Sequence, residues 1–215
     1  MEVIKKAKIS RIKWFWNIVR HGQLLHAVTN RLSHLGIEID PYYWVLEGIS
    51  GYDPPEIKGN ASEYSIKFLN LKEIILISND KPENYKQDLI DGFNKGRLCI
   101  ALLHQNEYAA YMFIELNDFT FKKRTFELAD NEAYLLNMWT FDAYRGKNLA
   151  PYLRYQCYLH LNNMGRDTSY SISAYFNKSS IRFKKKLNAK HLRFYMYVGL
   201  FKKWHWNFLL KEYFS

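Results

Sequence analysis

The stretch "TFDAYRGKNLAPYLRYQ", residues 140–156, follows a run that reads as a strand and opens one that reads as a helix. The short loop between them holds Arg145, Gly146, Lys147 and Asn148, with Pro151 in the first helical turn. The first amides of a helix have no intrahelical acceptor, and the helix dipole adds partial positive charge at that end. Arg145 and Lys147 add full charges, and Gly146 lets the backbone come close to a ligand. Asn148 tolerates a left-handed conformation better than most residues, and Pro151 sits where its missing N–H costs nothing. The loop is therefore built to hold phosphates, and a pyrophosphate is the expected ligand.

Composition agrees with an anionic partner. Lys and Arg number 31 against 21 Asp and Glu, a formal charge of +10 among 215 residues. That balance suits a phosphorylated cofactor, nucleic acid or an anionic membrane, and equally an ordinary basic protein. Hydrophobic residues make up 48% and aromatic residues 17%, enough for a sizeable core rich in strands. No segment reaches the length of about 18 apolar residues needed to span a bilayer, and no signal peptide is read. Cys99 and Cys157 stand outside any motif, which fits a reducing, cytoplasmic location. The histidines show no metal-ligand spacing, so no metal is expected.

Outward from the loop, the order of elements is regular. "EYSIKFLNLKEI" (63–74) is strand-like, and "KPENYKQDLIDGFNKG" (81–96) is helix-like, with Pro82 at its start and Gly96 at its end. "RLCIALLHQ" and "EYAAYMFIEL" flank Gln105 and Asn106 as a hairpin. "KRTFELA" and "EAYLLNMWTF" are strands, followed by the loop and a helix that stops at Gly165. "TSYSISAYF" is a strand, "NKSSIRFKKKL" a helix, and "KHLRFYMYVGL" with "HWNFLLKEYF" a closing strand pair. This order predicts an α/β fold with one mixed central sheet and helices on both faces.

Residues 1–60 read differently. Residues 5–36 carry helical spacings, with Gly36 as a C-cap. Lys5, Lys6, Lys8, Arg11, Lys13 and Arg20 beside Trp14, Phe15 and Trp16 fit either peripheral membrane contact through residues 1–20 or a helix packed on its own domain. "DPYYWVLEGISGYDPPEIKGNAS" (40–62) reads as a Gly/Pro-rich connector. Residues 1–60 thus form an N-terminal helical extension and connector, and 61–215 the main domain. The extension is expected to roof an acceptor site or to mediate homodimer contacts, with Tyr42, Tyr43 and Trp44 available for stacking.

The phrase "AYRGKNLA" resembles the coenzyme-A-binding motif of the GCN5-related N-acetyltransferases (GNAT), Arg/Gln-x-x-Gly-x-Gly/Ala after the fourth strand. Tyr144, Arg145, Gly146 and Lys147 match its typical form; Asn148 replaces a motif glycine, and Ala150 is an allowed ending. Asn177, Ser180 and Lys186-Leu187-Asn188-Ala189 resemble the second half of the pattern, again with Asn for Gly. The resemblance covers roughly residues 62–210. It implies a V-shaped splay between the fourth and fifth strands that takes acetyl-CoA as co-substrate. The pantetheine arm would lie on Met138, Trp139 and Thr140, and the pyrophosphate on Arg145, Gly146, Lys147, Asn148, Leu149 and Ala150. Asn177 and Ser180 would contact the arm from the other side. The reaction implied is direct acyl transfer to an amine, on a small molecule or a peptide.

Departures from the pattern bear on the chemistry. The fifth strand, "SISAYF", has no carboxylate to serve as base; Glu115, Glu127 and Asp142 are the alternatives. Where relatives place a Tyr that protonates the leaving thiolate, this chain has Lys184, which in the run 184–186 reads more simply as a surface lysine. Tyr175 is the other candidate. A catalytically silent acyl-CoA binder or scaffold on the same fold is the alternative function. A nucleic-acid binder lacks any recognised motif.

Overall fold

The computed structural model describes residues 29, 31–48 and 51–213. The basic segment 1–20 lies outside the described residues. Of the helical reading for 5–36, the last turn at residues 31–34 is described, and Gly36 ends it at φ 80°.

Among the described residues, ten strands and four α-helices follow. Strand β1 is Ile37–Glu47 and β2 is Tyr64–Phe68. Helices α1 (Leu71–Ile77) and α2 (Glu83–Asn94) lead to β3 (Leu98–His104) and β4 (Glu107–Glu115). Two short strands, β5 (Phe119–Phe121) and β6 (Arg124–Phe126), precede β7 (Glu132–Thr140). Helix α3 (Leu149–Asn163), β8 (Thr168–Ala174) and α4 (Lys178–Lys186) come next, then β9 (Lys190–Leu200) and β10 (Trp204–Glu212). Eight strands form one sheet in the order β10-β9-β1-β8-β7-β4-β3-β2, and β5-β6 stands apart as a ribbon. The mixed sheet with flanking helices is the predicted architecture.

Local chemistry accounts for the elements. Gln105 and Asn106 turn the β3–β4 hairpin with φ of 48° and 73°, the left-handed pair that a two-residue hairpin turn demands. Lys122 and Lys123 do the same for the ribbon, at 49° and 62°. In the segment 63–74 only the first half is strand. Asn70 accepts from the Glu73 amide while the Glu73 carboxylate accepts from the Asn70 amide, a capping box that starts α1. Three clusters of buried side chains make the core. One lies between the sheet and α3 and includes Leu149, Leu153, Cys157 and Leu161. A second packs α1 and α2 on the opposite face around Cys99, Tyr111 and Phe113. The third is aromatic and sits under the ribbon. Both cysteines are free and buried.

The connector reading is corrected for its first half. Residues 37–47 form a strand wedged between β8 and β9 and antiparallel to both, so residue 60 does not bound the sheet. Pro41 argued against a strand. Pro41 sits at the end of the ladder to β8: its carbonyl still accepts from the Tyr175 amide at 2.9 Å, and the N–H it lacks forfeits only the reciprocal bond of that terminal pair. Tyr42 and Trp44 are not free to stack on a ligand: Trp44 stacks on Phe126, Tyr170 and Tyr134, and Tyr42 on Tyr195. Tyr43 stacks on His191 and Phe194.

Trp44→Ala tests this placement. A buried Trp in a core strand is worth about 3–5 kcal/mol on truncation. Urea denaturation should show a loss of that order; a loss below about 1 kcal/mol, the surface range, would take β1 out of the core.

Candidate functional site

Strands β7 and β8 run parallel but pair only from Glu132↔Thr168 to Tyr134↔Tyr170. Beyond that point they diverge. The gap is a cleft of about 750 Å³ walled by β7 residues 135–140, Ile172 of β8, Ala150 and Arg154 of α3, and Asn177, Ser180, Phe183 and Lys184 of α4. Strand β7 carries a bulge there: Tyr111 faces Trp139 and Phe113 faces Leu136, so β7 has one residue more than β4 between these pairs. Asn137 takes φ 51° within it. A bulge leaves an extra residue out of the ladder, and here it opens the β7 backbone on the cleft wall.

At the mouth of the cleft lies the loop 145–150, with a smaller cavity of about 250 Å³ against Arg145, Gly146, Asn148, Leu149 and Ala150. Asn148 adopts φ 63°, ψ 23°, the left-handed conformation expected of it, and its side chain does not cap α3. Instead its Nδ2 donates to Glu56 O at 2.8 Å, and its Oδ1 accepts from Lys186 Nζ at 3.2 Å. The first-turn amides of Leu149 and Ala150 are thus left without an intrahelical acceptor. The Lys58 amide donates to Lys147 O at 3.0 Å, so segment 56–58 props the loop from outside. Arg145 is exposed, ion-paired to Asp142 at 2.7 Å, with its guanidinium 5.6 Å from the Trp139 ring centre. On the far wall Asn177 caps α4 by accepting from the Ser180 amide at 3.0 Å. Met138, Trp139, Thr140, Arg145, Ala150, Asn177 and Ser180 are brought together on the cleft. Gly146, Asn148 and Leu149 line its mouth, and Lys147 flanks the mouth with its ammonium over the Tyr144 ring.

The chain has a strand that splays from its neighbour, a bulge on that strand, and a Gly/basic loop at the start of the next helix. Comparison with solved structures finds the same overall fold. A crystal structure from Novosphingobium aromaticivorans, described as an acetyltransferase of the GNAT family, superposes with a TM-score of 0.52 at 19% identity, over 77% of this chain and 66% of that one. The chain has the GNAT fold. A tandem GNAT protein of the clavulanic acid biosynthesis pathway matches with a TM-score of 0.52 at 11% identity, over 82% of this chain and 55% of that one. The GCN5-related glucosamine N-acetyltransferase region of a fungal multi-domain β-N-acetylglucosaminidase gives a TM-score of 0.57 at 10% identity, over 84% and 23% of the two chains. The chain spans between about half and two-thirds of the length of the first structures it matches, at 56%, 66% and 55%. No family model matches the sequence. No curated protein matches it.

Within the GNAT fold the three predicted catalytic residues fall in three places. Lys184 is in the cleft wall, and the surface reading of it is wrong: it is 4% exposed, while its neighbours Lys185 and Lys186 are exposed. Its ammonium donates to Ser171 Oγ at 2.6 Å, Ser173 Oγ at 2.8 Å and Ile172 O at 3.2 Å, and lies 3.4 Å from Glu47. Burial lowers its pKa to about 8 against the pull of Glu47. Glu115 is at the end of β4, paired with Arg97 at 3.1 Å. It lines a second cavity of about 540 Å³, with Asp88, Lys95, Asp118 and the ribbon residues Phe119 and Phe121. That cavity shares Leu136 and Asn137 with the cleft. Tyr175 stands apart, 41% exposed and packed on Tyr43, Phe176 and Phe194. Of the other two carboxylates, Asp142 is held by Arg145, and Glu127 is exposed at the end of the ribbon.

Sequence reading missed Glu47 and Arg154. Glu47, at the end of β1, is 1% exposed, and Arg154 is 2% exposed. Tyr158 donates to the Glu47 carboxylate at 2.6 Å, the Ser171 hydroxyl donates to it as well, and Arg154 Nε lies 3.4 Å away. Burial works to raise the Glu47 pKa, but Arg154, Lys184 and the two hydroxyl donors together hold it below the usual value. The one signal for Arg154 was its spacing: Ala150, Arg154 and Tyr158 recur every fourth residue along α3.

Two predictions follow from this cluster. Glu47→Ala strands two buried cations and should cost about 3–5 kcal/mol in chemical denaturation. Lys184 has a folded pKa of about 8 against 10.5 when unfolded, so the unfolded chain holds more protons between those values. The stability contributed by Lys184 therefore rises with pH across that window. Wild type should gain on Lys184→Met between pH 7 and about pH 9.5. A gap that does not change with pH would put the ammonium in solvent.

Proposed function

We propose that the protein is an acyl-CoA-dependent N-acyltransferase. The cleft between β7 and β8, closed at its mouth by the loop 145–150, carries this reading. Its shape suits a pantetheine arm, and the loop supplies what a pyrophosphate needs: free first-turn amides, Arg145, and the flanking Lys58 and Lys186. The names of the structural neighbours, which include acetyltransferases, support the same class. Acetyl-CoA is the donor first in line.

The acceptor enters from the other side of the sheet. The second cavity holds Asp88, Glu115 and Asp118 against Lys95 and Arg97. In a chain of +10, this local acidic surplus draws a cationic amine. Attack takes place where the two cavities share Leu136 and Asn137. The amine nitrogen bonds to the thioester carbon, an amide of the β7 bulge donates to the developing oxyanion, and the carbon–sulfur bond breaks. Lys184, with a pKa near working pH, gives up its longest contact, the Ile172 carbonyl at 3.2 Å, to pass a proton to the departing thiolate. The proton that nitrogen loses passes through water to the carboxylates of the second cavity. The Arg97–Glu115 pair supports one alternative, an acyl-CoA binder without turnover, because it engages the carboxylate best placed as base.

Ligand-dependent melting tests the cleft. Acetyl-CoA and CoA should raise Tm, since a ligand of the folded state stabilises it by mass action. Gly146→Glu should abolish the rise. Gly146 sits at φ 82° with nothing within 4 Å of an added Cβ, so the substitution brings a modest backbone strain and a carboxylate into the anion loop. No rise for wild type at millimolar ligand would overturn the proposal. Thiol release from acetyl-CoA with a panel of amines separates enzyme from silent binder, and Lys184→Met should lower kcat by on the order of 10² while leaving CoA affinity in place.

A further inference from the structure

Two cations, Arg154 and Lys184, share a single carboxylate, Glu47, and all three are buried. Among the described residues, one positive charge is left without a counter-ion. The three ammonium donors of Lys184 are taken by Ser171, Ser173 and the Ile172 carbonyl. Arg154 is not so served. Its Nη1 has no hydrogen-bond partner among the described residues, and its Nε has only the ion pair with Glu47 at 3.4 Å. A buried guanidinium with open donors is costly unless a ligand completes it. Arg154 also lines the cleft, beside Phe183.

Its position along the cleft identifies the ligand. Glu47 stands opposite Ser169, and the β7–β8 pairing ends at Tyr134↔Tyr170. The Glu47–Arg154 pair therefore lies toward the closed end of the splay, with the Lys184 ammonium, held at residues 171–173, nearer the mouth where the phosphates would bind. What reaches this end is the acyl chain, beyond the thioester. The unpaired Nη1 of Arg154 can donate to a carboxylate in a charge-assisted hydrogen bond.

We propose that the cleft is built for an acyl group that ends in a carboxylate, a short dicarboxylic half-thioester of coenzyme A, with Arg154 as the residue that holds that carboxylate. The proposal rests on the acyl-CoA reading of the cleft. The transfer is unchanged in form: the amine nitrogen bonds to the acyl carbon, the carbon–sulfur bond breaks, the proton lost by nitrogen is balanced by the one gained by sulfur, and the distal carboxylate is a spectator.

Calorimetric titration of the wild-type protein with CoA, acetyl-CoA, butyryl-CoA and succinyl-CoA tests this without turnover. Butyryl-CoA has the same chain length as succinyl-CoA and no carboxylate. Succinyl-CoA should bind more tightly than butyryl-CoA by about tenfold or more, and Arg154→Met should bring the ratio of the two affinities to about one, whatever its effect on CoA itself. If Arg154→Met fails to fold, the wild-type comparison of succinyl-CoA with butyryl-CoA decides alone. Equal or weaker binding of succinyl-CoA, with CoA and acetyl-CoA bound, would overturn the dicarboxylic proposal and leave the acyltransferase reading standing. Binding of none of the four would overturn both.

Discussion

The Glu47 carboxylate is the point on which the site depends. It comes from β1, and its partners come from β8 (Ser171), α3 (Arg154, Tyr158) and α4 (Lys184). Those are the elements that wall the cleft on the side away from β7. A lone carboxylate in such a place would protonate, and two lone cations would shed charge or pull in water. Together they keep Glu47 ionised and tie β1, β8, α3 and α4 to one another at the base of the cleft.

The two cavities divide the labour between the faces of the sheet. On the α3–α4 face the surfaces are cationic, at Arg145, Lys58, Lys186, Arg154 and Lys184. On the face under α2 and the ribbon, carboxylates outnumber cations. Under the proposed function, a positively charged acceptor and a negatively charged donor would be drawn to opposite sides of one strand. The two cavities share Leu136 and Asn137, where Asn137 has turned into the left-handed region and left the ladder.

Much of this was legible in the sequence because it depends on local chemistry. The conformation of the loop was readable from Gly146, Asn148 and Pro151, whose preferences act within a few residues. The hairpin at Gln105–Asn106 and the apolar face of α3 were readable for the same reason. What escaped was nonlocal. Asp40-Pro41 looks like a turn, and only the end of the β8 ladder makes the proline harmless. Lys184 looks like one lysine in a solvated run. Nothing short of the fold brings Ser171, Ser173 and Glu47 to it, and Glu47 itself has no local feature that marks it as buried.

Strand β1 has a consequence for how the chain must fold. It lies between two strands from the far end of the sequence: the Tyr158–Glu47 bond spans 111 residues and the Tyr42–Asn207 bond 165. During synthesis β1 leaves the ribosome long before β8 and β9 exist, with Tyr42, Trp44 and Val45 uncovered and both edges unpaired. Contacts of such long range make folding slow and leave apolar edges open to other chains in the meantime. The β2–β4 and β7 portion can pair in order as it emerges, but the cleft cannot close at its base until β1 is clasped. Assembly of the site and completion of the sheet are one late event.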